Sequence, residues 1–228
     1  LGAVAALALS VSLLAGCGST AGSAAASSSA AGSTAVSAVS EAASSEAADE
    51  NEAAAAQLMK DLTGSYQELW PVILADEHTQ TWLDDCTALV GEDNAEGAYE
   101  KLSSMVTGDV YGEDAVKAYA NGGGAYFCGF TQGLATLTFD GESSVISGTD
   151  KDGSTLFSHS YHYIGMEPVR GLYEFESDDA DSGEFTYFFL APDTSAETYH
   201  IEFRYGSDAD ALGQYDAGDY AYWLASGI

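Results

Sequence analysis

The spacing of apolar residues along this chain changes at about residue 124. Before that point apolar side chains recur at three- and four-residue steps, beginning with Leu58, Leu62, Tyr66 and Leu69. This is the period of an amphipathic helix. The pattern predicts helices over 58–69, 79–89, 95–106 and 114–119, and Trp70-Pro71 should redirect the chain after the first of them.

After residue 124, short apolar runs are separated by turn residues such as Asp140-Gly141. Short runs between turn residues are typical of strands, and tight turns join neighbouring strands in an antiparallel meander. We expect seven strands, near residues 125–131, 133–139, 143–147, 154–164, 171–177, 184–190 and 198–205. A meander of this size is expected to close into a small barrel.

The N-terminal sequence is typical of an exported lipoprotein. Residues 1–17 read LGAVAALALSVSLLAGC, an apolar run that is too short to cross a bilayer and that lacks the basic start of a signal peptide. The run ends in Leu14-Ala15-Gly16-Cys17, which resembles the bacterial lipobox, where the cysteine is lipidated. An ordinary signal peptide with a chance cysteine is the alternative. We expect an anchor at Cys17, on the outer face of a bacterial cell membrane, with no other membrane contact.

Composition divides the remainder of the chain in two. Residues 18–56 are nearly all Ala, Ser, Gly, Thr and Glu and contain no aromatic residue. Such a segment cannot bury enough apolar surface to offset its chain entropy, which predicts a disordered tether. The alanine-rich stretch just before Leu58 is compatible with a helix that frays at its outer end. The folded domain is therefore expected at residues 57–228.

The charge balance is strongly acidic, with 36 Asp and Glu residues against six Lys and Arg. Such a surface repels nucleic acid and attracts cations, so a nucleic-acid partner is excluded. Cys86 and Cys128 form an even pair in an exported chain. They predict either one disulfide or two buried thiols, and the sequence leaves both readings open.

The stretch TYHIEFRYGSDADAL, residues 198–212, carries the clearest candidate chemistry. On a strand, His200, Glu202 and Arg204 share one face, opposite Tyr199, Ile201 and Phe203, which are expected to pack. Alternate residues lie about 7 Å apart, so one ion could bridge the imidazole and the carboxylate. A plain imidazole–carboxylate hydrogen bond is the alternative. Arg204 is expected to pair with Glu202 or another carboxylate.

Five segments, taken in order, resemble the ZinT (YodA) family of extracytoplasmic zinc- and cadmium-binding proteins. The family domain also occurs fused to AdcA-type zinc-uptake lipoproteins. The segments are GSYQELWPVIL (64–74), GLYEFES (171–177), FTYFFLAP (185–192), YHIEFRYGSD (199–208) and YAYWLASGI (220–228). The resemblance implies a mainly β fold with some α, a lipocalin-like (calycin) antiparallel barrel with N-terminal helices packed against it.

The family's metal site carries over only in part. The family has one histidine just before the Ala-Pro turn and a His-x-His pair on the next strand. Here these positions are Phe188, His200 and Glu202. We expect His200 and Glu202 to face a common cavity, with one of His159 or His162 as a third zinc ligand and water as the fourth.

The resemblance implies an extracytoplasmic lipoprotein that binds zinc, or another divalent cation, and buffers it or delivers it to a zinc ABC-type uptake system. The alternative is a calycin-like barrel with a degenerate metal site that binds a small ligand or serves as a surface interaction module. The sequence contains no nucleophile elbow, no HExxH helix and no phosphate-binding glycine loop, so we do not expect an enzyme.

Overall fold

The computed structural model describes residues 50–119 and 125–228. Three of the four predicted helices are confirmed, since helices are found at Thr79–Val90 (α3), Glu92–Val106 (α4) and Glu113–Tyr119 (α5). They follow a helix at residues 50–61 (α1), a short helix at Leu69–Ile73 (α2) and a 3-10 turn at Asp76–His78. The described part of α1 starts at residue 50, so this helix includes residues 50–56, the last seven that we assign to the tether and the alanine-rich stretch before Leu58. Cys17 and residues 18–49 lie outside the described residues.

The predicted first helix is wrong beyond residue 61. Leu58 and Leu62 are buried, but the chain turns at Leu62, and Gly64–Tyr66 forms a strand (β1). Tyr66 nevertheless joins the same core, and its hydroxyl donates to the Leu62 carbonyl at 2.9 Å. The helical spacing of these residues therefore reflects a shared core that the chain reaches by a turn.

Eight antiparallel strands form the barrel, and each pairs with the next along the chain. After β1 they are Thr136–Asp140 (β2), Val145–Thr149 (β3), Thr155–Met166 (β4), Tyr173–Ser177 (β5), Tyr187–Leu190 (β6), Ile201–Gly206 (β7) and Ala225–Gly227 (β8). Gln67 and Ile228 exchange backbone hydrogen bonds of 3.0 and 2.9 Å, which close the sheet at a short seam. The predicted antiparallel, lipocalin-like barrel with packed helices is confirmed.

Strand prediction failed at both edges of the meander. The strand expected at 125–131 is absent from the described structure, where Phe127 makes only isolated bridges to Thr107 and Trp223. The two strands that form the seam, β1 and β8, were not predicted. Each contains only three residues, too few to show an alternating pattern.

Aromatic side chains fill the interior of the barrel. They form a stack in which neighbouring ring centroids lie 4.0 to 6.0 Å apart, made by Phe157, Tyr161, Phe185, Phe188, Phe203, Tyr205 and Trp223. Several of these rings are completely buried. Rings packed at these distances stabilise the barrel and leave its centre occupied by the protein's own side chains.

No helix in residues 50–119 or 125–228 is long and apolar enough to span a bilayer.

Candidate metal site

The outer face of β7 carries Glu202, and His200 lies one residue before the strand begins. Ile201 and Phe203 point into the barrel and are buried, as expected. Tyr199 does not follow the predicted pattern: it is 58% exposed and has a left-handed backbone, with φ of 66°. The strand pattern starts at Ile201, so the packing expected for Tyr199 is wrong.

His200 and Glu202 approach each other, with 3.7 Å between Nε2 and Oε1. The other ring nitrogen, Nδ1, lies 2.9 Å from the carbonyl oxygen of Thr198. A carbonyl oxygen only accepts, so Nδ1 donates and a neutral ring presents the lone pair of Nε2 to the carboxylate. Two acceptors that face each other favour a donor or cation between them, and a proton or a metal ion can take that place. Sequence reasoning missed the role of Thr198, because a backbone carbonyl leaves no signal in residue type.

The surroundings of His200 favour a positive charge. Its pKa is raised, first by the hydrogen-bonding contact with Glu202, and further by the Thr198 carbonyl and the charges of Glu202 and Asp193, while partial burial opposes the shift. The side chains of His200 and Glu202 remain 30% and 38% exposed, so ions can reach them from solvent. A proton is therefore the direct competitor of any metal ion at this pair.

The pair fits two positions of a tetrahedral zinc site. Ligands at about 2.0–2.2 Å from zinc lie roughly 3.4 Å apart at the tetrahedral angle, close to the 3.7 Å observed. A carbonyl that holds the second ring nitrogen is also the usual arrangement around a metal-binding histidine. Among the described residues, however, no group of three His, Cys, Asp or Glu side chains is close enough to hold an ion.

The expected third ligand is not brought to this pair. Both histidines of β4 bind carboxylates of the β5–β6 connection: His159 Nδ1 lies 2.8 Å from Asp179, and His162 Nδ1 lies 2.8 Å from Asp178. Strands β5 and β6 separate β4 from β7, a distance of roughly 14 Å at ordinary strand spacing. Instead, these two histidines attach the β5–β6 connection to β4.

Phe188, which the resemblance to the ZinT family places at that family's first histidine, lies on the other side of the barrel wall. It is fully buried in the aromatic interior, 5.4 Å from both Tyr161 and Tyr205 by ring centroid, and its partner in the β6–β7 register is Tyr205. Glu202 faces outward on the same pair of strands. A histidine at position 188 would therefore not meet Glu202 in this fold.

Arg204 follows Glu202 on the outer face but makes no ion pair with it. Its guanidinium is completely buried under the segment that follows β7, where it donates to the carbonyls of Leu212, Gln214 and Tyr220. It also stacks on Tyr215 at 4.5 Å. The expected pairing with a carboxylate is wrong, and burial lowers the pKa of Arg204 to about 10.

Cys86 and Cys128 are both free and buried. Of the two readings left open by the sequence, the structure contains the pair of thiols, and the disulfide is not formed.

Comparison with known proteins gives structural neighbours only. No protein-family model matches the chain, and no curated protein matches it in sequence. The Zn(II)-bound ZinT-like domain of AdcA from Streptococcus pneumoniae matches with a TM-score of 0.46 and 14% identity, over 75% of this chain and 81% of that domain. Zn(II)-bound AdcA from the same organism matches with a TM-score of 0.45 and 14% identity, over 75% of this chain. This second match spans 32% of the AdcA chain.

Proposed function

We propose that this protein is a non-enzymatic, ZinT-like lipoprotein of the extracytoplasmic face that binds a divalent cation, zinc first, at His200 and Glu202. The ion is buffered there or passed to a zinc ABC-type uptake system. One observation carries the proposal: Nε2 and Oε1 face each other across 3.7 Å, while Thr198 holds Nδ1. This arrangement presents two acceptors to one cation.

The ligand chemistry supports zinc among divalent cations. Zinc accepts both imidazole nitrogen and carboxylate oxygen, whereas magnesium and calcium bind oxygen almost exclusively. A formal net charge of -30 also draws cations toward the surface. With two protein ligands and the remaining positions open to water, the ion exchanges readily, as delivery to a partner requires.

The anchor is part of the same proposal. Cys17 carries the lipid and keeps the barrel at the membrane where an uptake system would receive the ion. Two acyl chains on one cysteine suffice for stable anchoring, whereas a single chain gives only marginal binding.

The alternative of a small apolar ligand inside the barrel is not favoured. The interior positions that would contact such a ligand, among them Phe188, Phe203 and Tyr205, pack against one another and are nearly fully buried. A ligand would have to separate these rings and replace their contacts.

Calorimetric titration of the full chain with zinc, at about pH 7.5, tests the proposal. We expect His200→Ala and Glu202→Ala each to weaken binding at least tenfold, because each removes one of two ligands. His78→Ala is the matched control, since His78 is exposed and lies in the 3-10 turn. Zinc should also be released near pH 5.5, where His200 is protonated. A dissociation constant that neither substitution nor acid changes would refute the site.

A further inference from the structure

The helices α3 and α4 form a hairpin of their own. Within the described residues they pack mainly against each other, and α3 also packs against the 3-10 turn before it. A single residue, Gly91, connects the two helices with a positive φ of 85°. Away from this connection, the rings of Trp82 and Tyr99 stack at 6.2 Å, and the Trp82 indole donates to the Ile73 carbonyl at 2.7 Å. Residues 87–94, around the connection, form the tip of the hairpin.

An apolar stripe on α3 is longer than the surface of α4 that covers it. Cys86 is buried in the hairpin, and Leu89 and Val90 continue its stripe three and four residues later. Helix α4 begins only at Glu92, and its one buried residue is the small Ala95. Leu89 is therefore 83% exposed and Val90 46% exposed. These two aliphatic side chains are adjacent at the tip, unlike the single exposed apolar residues that are common on protein surfaces.

Hydrogen bonds hold the tip in this conformation. The Gly91 amide donates to the Thr87 carbonyl at 2.9 Å, and the Asn94 amide donates to the Gly91 carbonyl at 3.1 Å. The Asn94 side chain also donates to the Val90 carbonyl at 3.1 Å. Because these bonds fix the last turn of α3, Leu89 and Val90 remain on the outside. An apolar pair that is already ordered loses little conformational freedom when a partner covers it.

The charge around the tip indicates what kind of partner fits it. Residues 84–96 hold five carboxylates and no Lys or Arg, so five of 13 residues are acidic here against 36 of 228 in the whole chain. Such a cluster repels anionic lipid headgroups and a second copy of this acidic chain, and it attracts Lys and Arg side chains. The five residues, all exposed, are Asp84, Asp85, Glu92, Asp93 and Glu96.

We propose that the tip of the α3–α4 hairpin is a docking site for another protein, on which Leu89 and Val90 enter an apolar pocket bordered by Lys and Arg side chains. The apolar pair supplies the buried contact, and the surrounding carboxylates orient the partner and speed its encounter. None of these residues belongs to the His200–Glu202 pair. The inference therefore goes beyond the proposed function and does not depend on it.

Photo-cross-linking of the full chain, in the cells that produce it, finds the occupant of the tip. The probe is p-benzoylphenylalanine in place of Leu89, and the control is the same probe in place of Asp152, which is exposed in the β3–β4 turn. We expect a cross-linked protein at position 89 that is absent at position 152. No product above the control would overturn the proposal, and so would a product with lipid or with a second copy of this chain.

Capture alone does not establish the docking chemistry, so the captured protein is purified and titrated calorimetrically with the full chain carrying Cys17→Ser. We expect Leu89→Ser, and separately the double change Glu92→Lys with Asp93→Lys, to weaken binding at least about tenfold. Added salt should weaken it as well. Val169→Ser is the matched control, because Val169 is 70% exposed in the β4–β5 connection, and it should leave binding unchanged.

A captured protein that binds Leu89→Ser as tightly as the parent overturns the docking site, and so does binding that neither charge reversal nor salt changes. Zinc titration of the same Leu89→Ser protein separates this inference from the proposed function. Its zinc affinity should equal that of the parent, so a failure at the tip leaves the His200–Glu202 site standing, and a failure to bind zinc leaves the docking site standing.

Discussion

Replacing Phe188 with histidine tests whether interior and outer positions of the barrel wall are assigned correctly. If Phe188 and Glu202 belonged to one site, the double change to histidine would create around His200 the three-histidine set of the ZinT family, which the sequence resembles. The structure places Phe188 inside, fully buried among aromatic rings, and Glu202 outside. We therefore expect no gain in zinc affinity from the histidine at position 188.

The same substitution should cost stability. Truncating a buried phenylalanine to alanine costs about 3–5 kcal/mol. Histidine keeps part of the ring volume but leaves a buried imidazole without partners, a penalty of about 1–3 kcal/mol. We expect a loss of about 3 kcal/mol for Phe188→His, or roughly 6–12 °C in Tm. Glu202→His, on the exposed face, should change stability by less than about 0.5 kcal/mol.

Four proteins provide the measurement: wild type, Phe188→His, Glu202→His and the double variant. Denaturant unfolding gives their stabilities and calorimetry gives their zinc affinities. For zinc binding, the two substitutions should show a coupling energy within about 0.5 kcal/mol of zero, as expected of positions on opposite sides of the wall. A double variant that binds zinc tenfold more tightly than Glu202→His alone would show that the two side chains reach one site. The assignment of Phe188 to the inside and Glu202 to the outside of the barrel wall would then be wrong.

Three further predictions concern buried and titrating groups. Arg204→Lys should lower the free energy of unfolding by about 2–3 kcal/mol, because lysine cannot donate to three carbonyls in the same plane. The control Arg170→Lys, at an exposed position, should lower it by less than about 1 kcal/mol. Equal losses in the two variants would contradict this account of Arg204. In metal-free buffer, the raised pKa of His200 contributes stability that is complete below the unfolded pKa of about 6.5 and is lost as the pH rises through the folded value. His200→Ala should therefore destabilise more at about pH 5.5 than at about pH 8.5, and urea unfolding that shows the opposite order would refute the pairing. In the Cys17→Ser variant, a thiol reagent should modify Cys86 and Cys128 only after unfolding, and fewer than two reactive thiols in denaturant would indicate a disulfide.

The sequence was sufficient to predict the barrel because each long strand shows its own alternation of buried and exposed residues. Strand β4 is twelve residues long, and its buried positions, Phe157 and Tyr161, recur at even spacing. Residues near Tyr66 were misread as helix because a core shared across a turn can imitate helical spacing. The three-residue seam strands were missed because they exist only through pairing with each other and with their neighbours, which a single segment of sequence cannot show.

The candidate site was predictable only where one strand decides the geometry. His200 and Glu202 are two residues apart, so their proximity follows from strand geometry. The Thr198 carbonyl that accepts from His200 Nδ1 is a backbone group, so residue type alone gives no signal for it. Arg204 shows the reverse case: its charge suggested an ionic partner, while burial and three backbone carbonyls determine its role.

The seam between Gln67 and Ile228 sets an order of events during folding. The strands from β2 to β7 are joined by short connections, so their pairs can form as local hairpins, whereas β1 reaches β2 only across the helices α2 to α5. The seam joins residues 161 positions apart, and closing a free loop of that length costs roughly 2–3 kcal/mol more entropy than closing a ten-residue hairpin. Prior hairpin formation shortens this loop, so the barrel closes last and both of its edges stay unpaired until then. During that interval β1 and β8 are the strands most exposed to pairing with another chain.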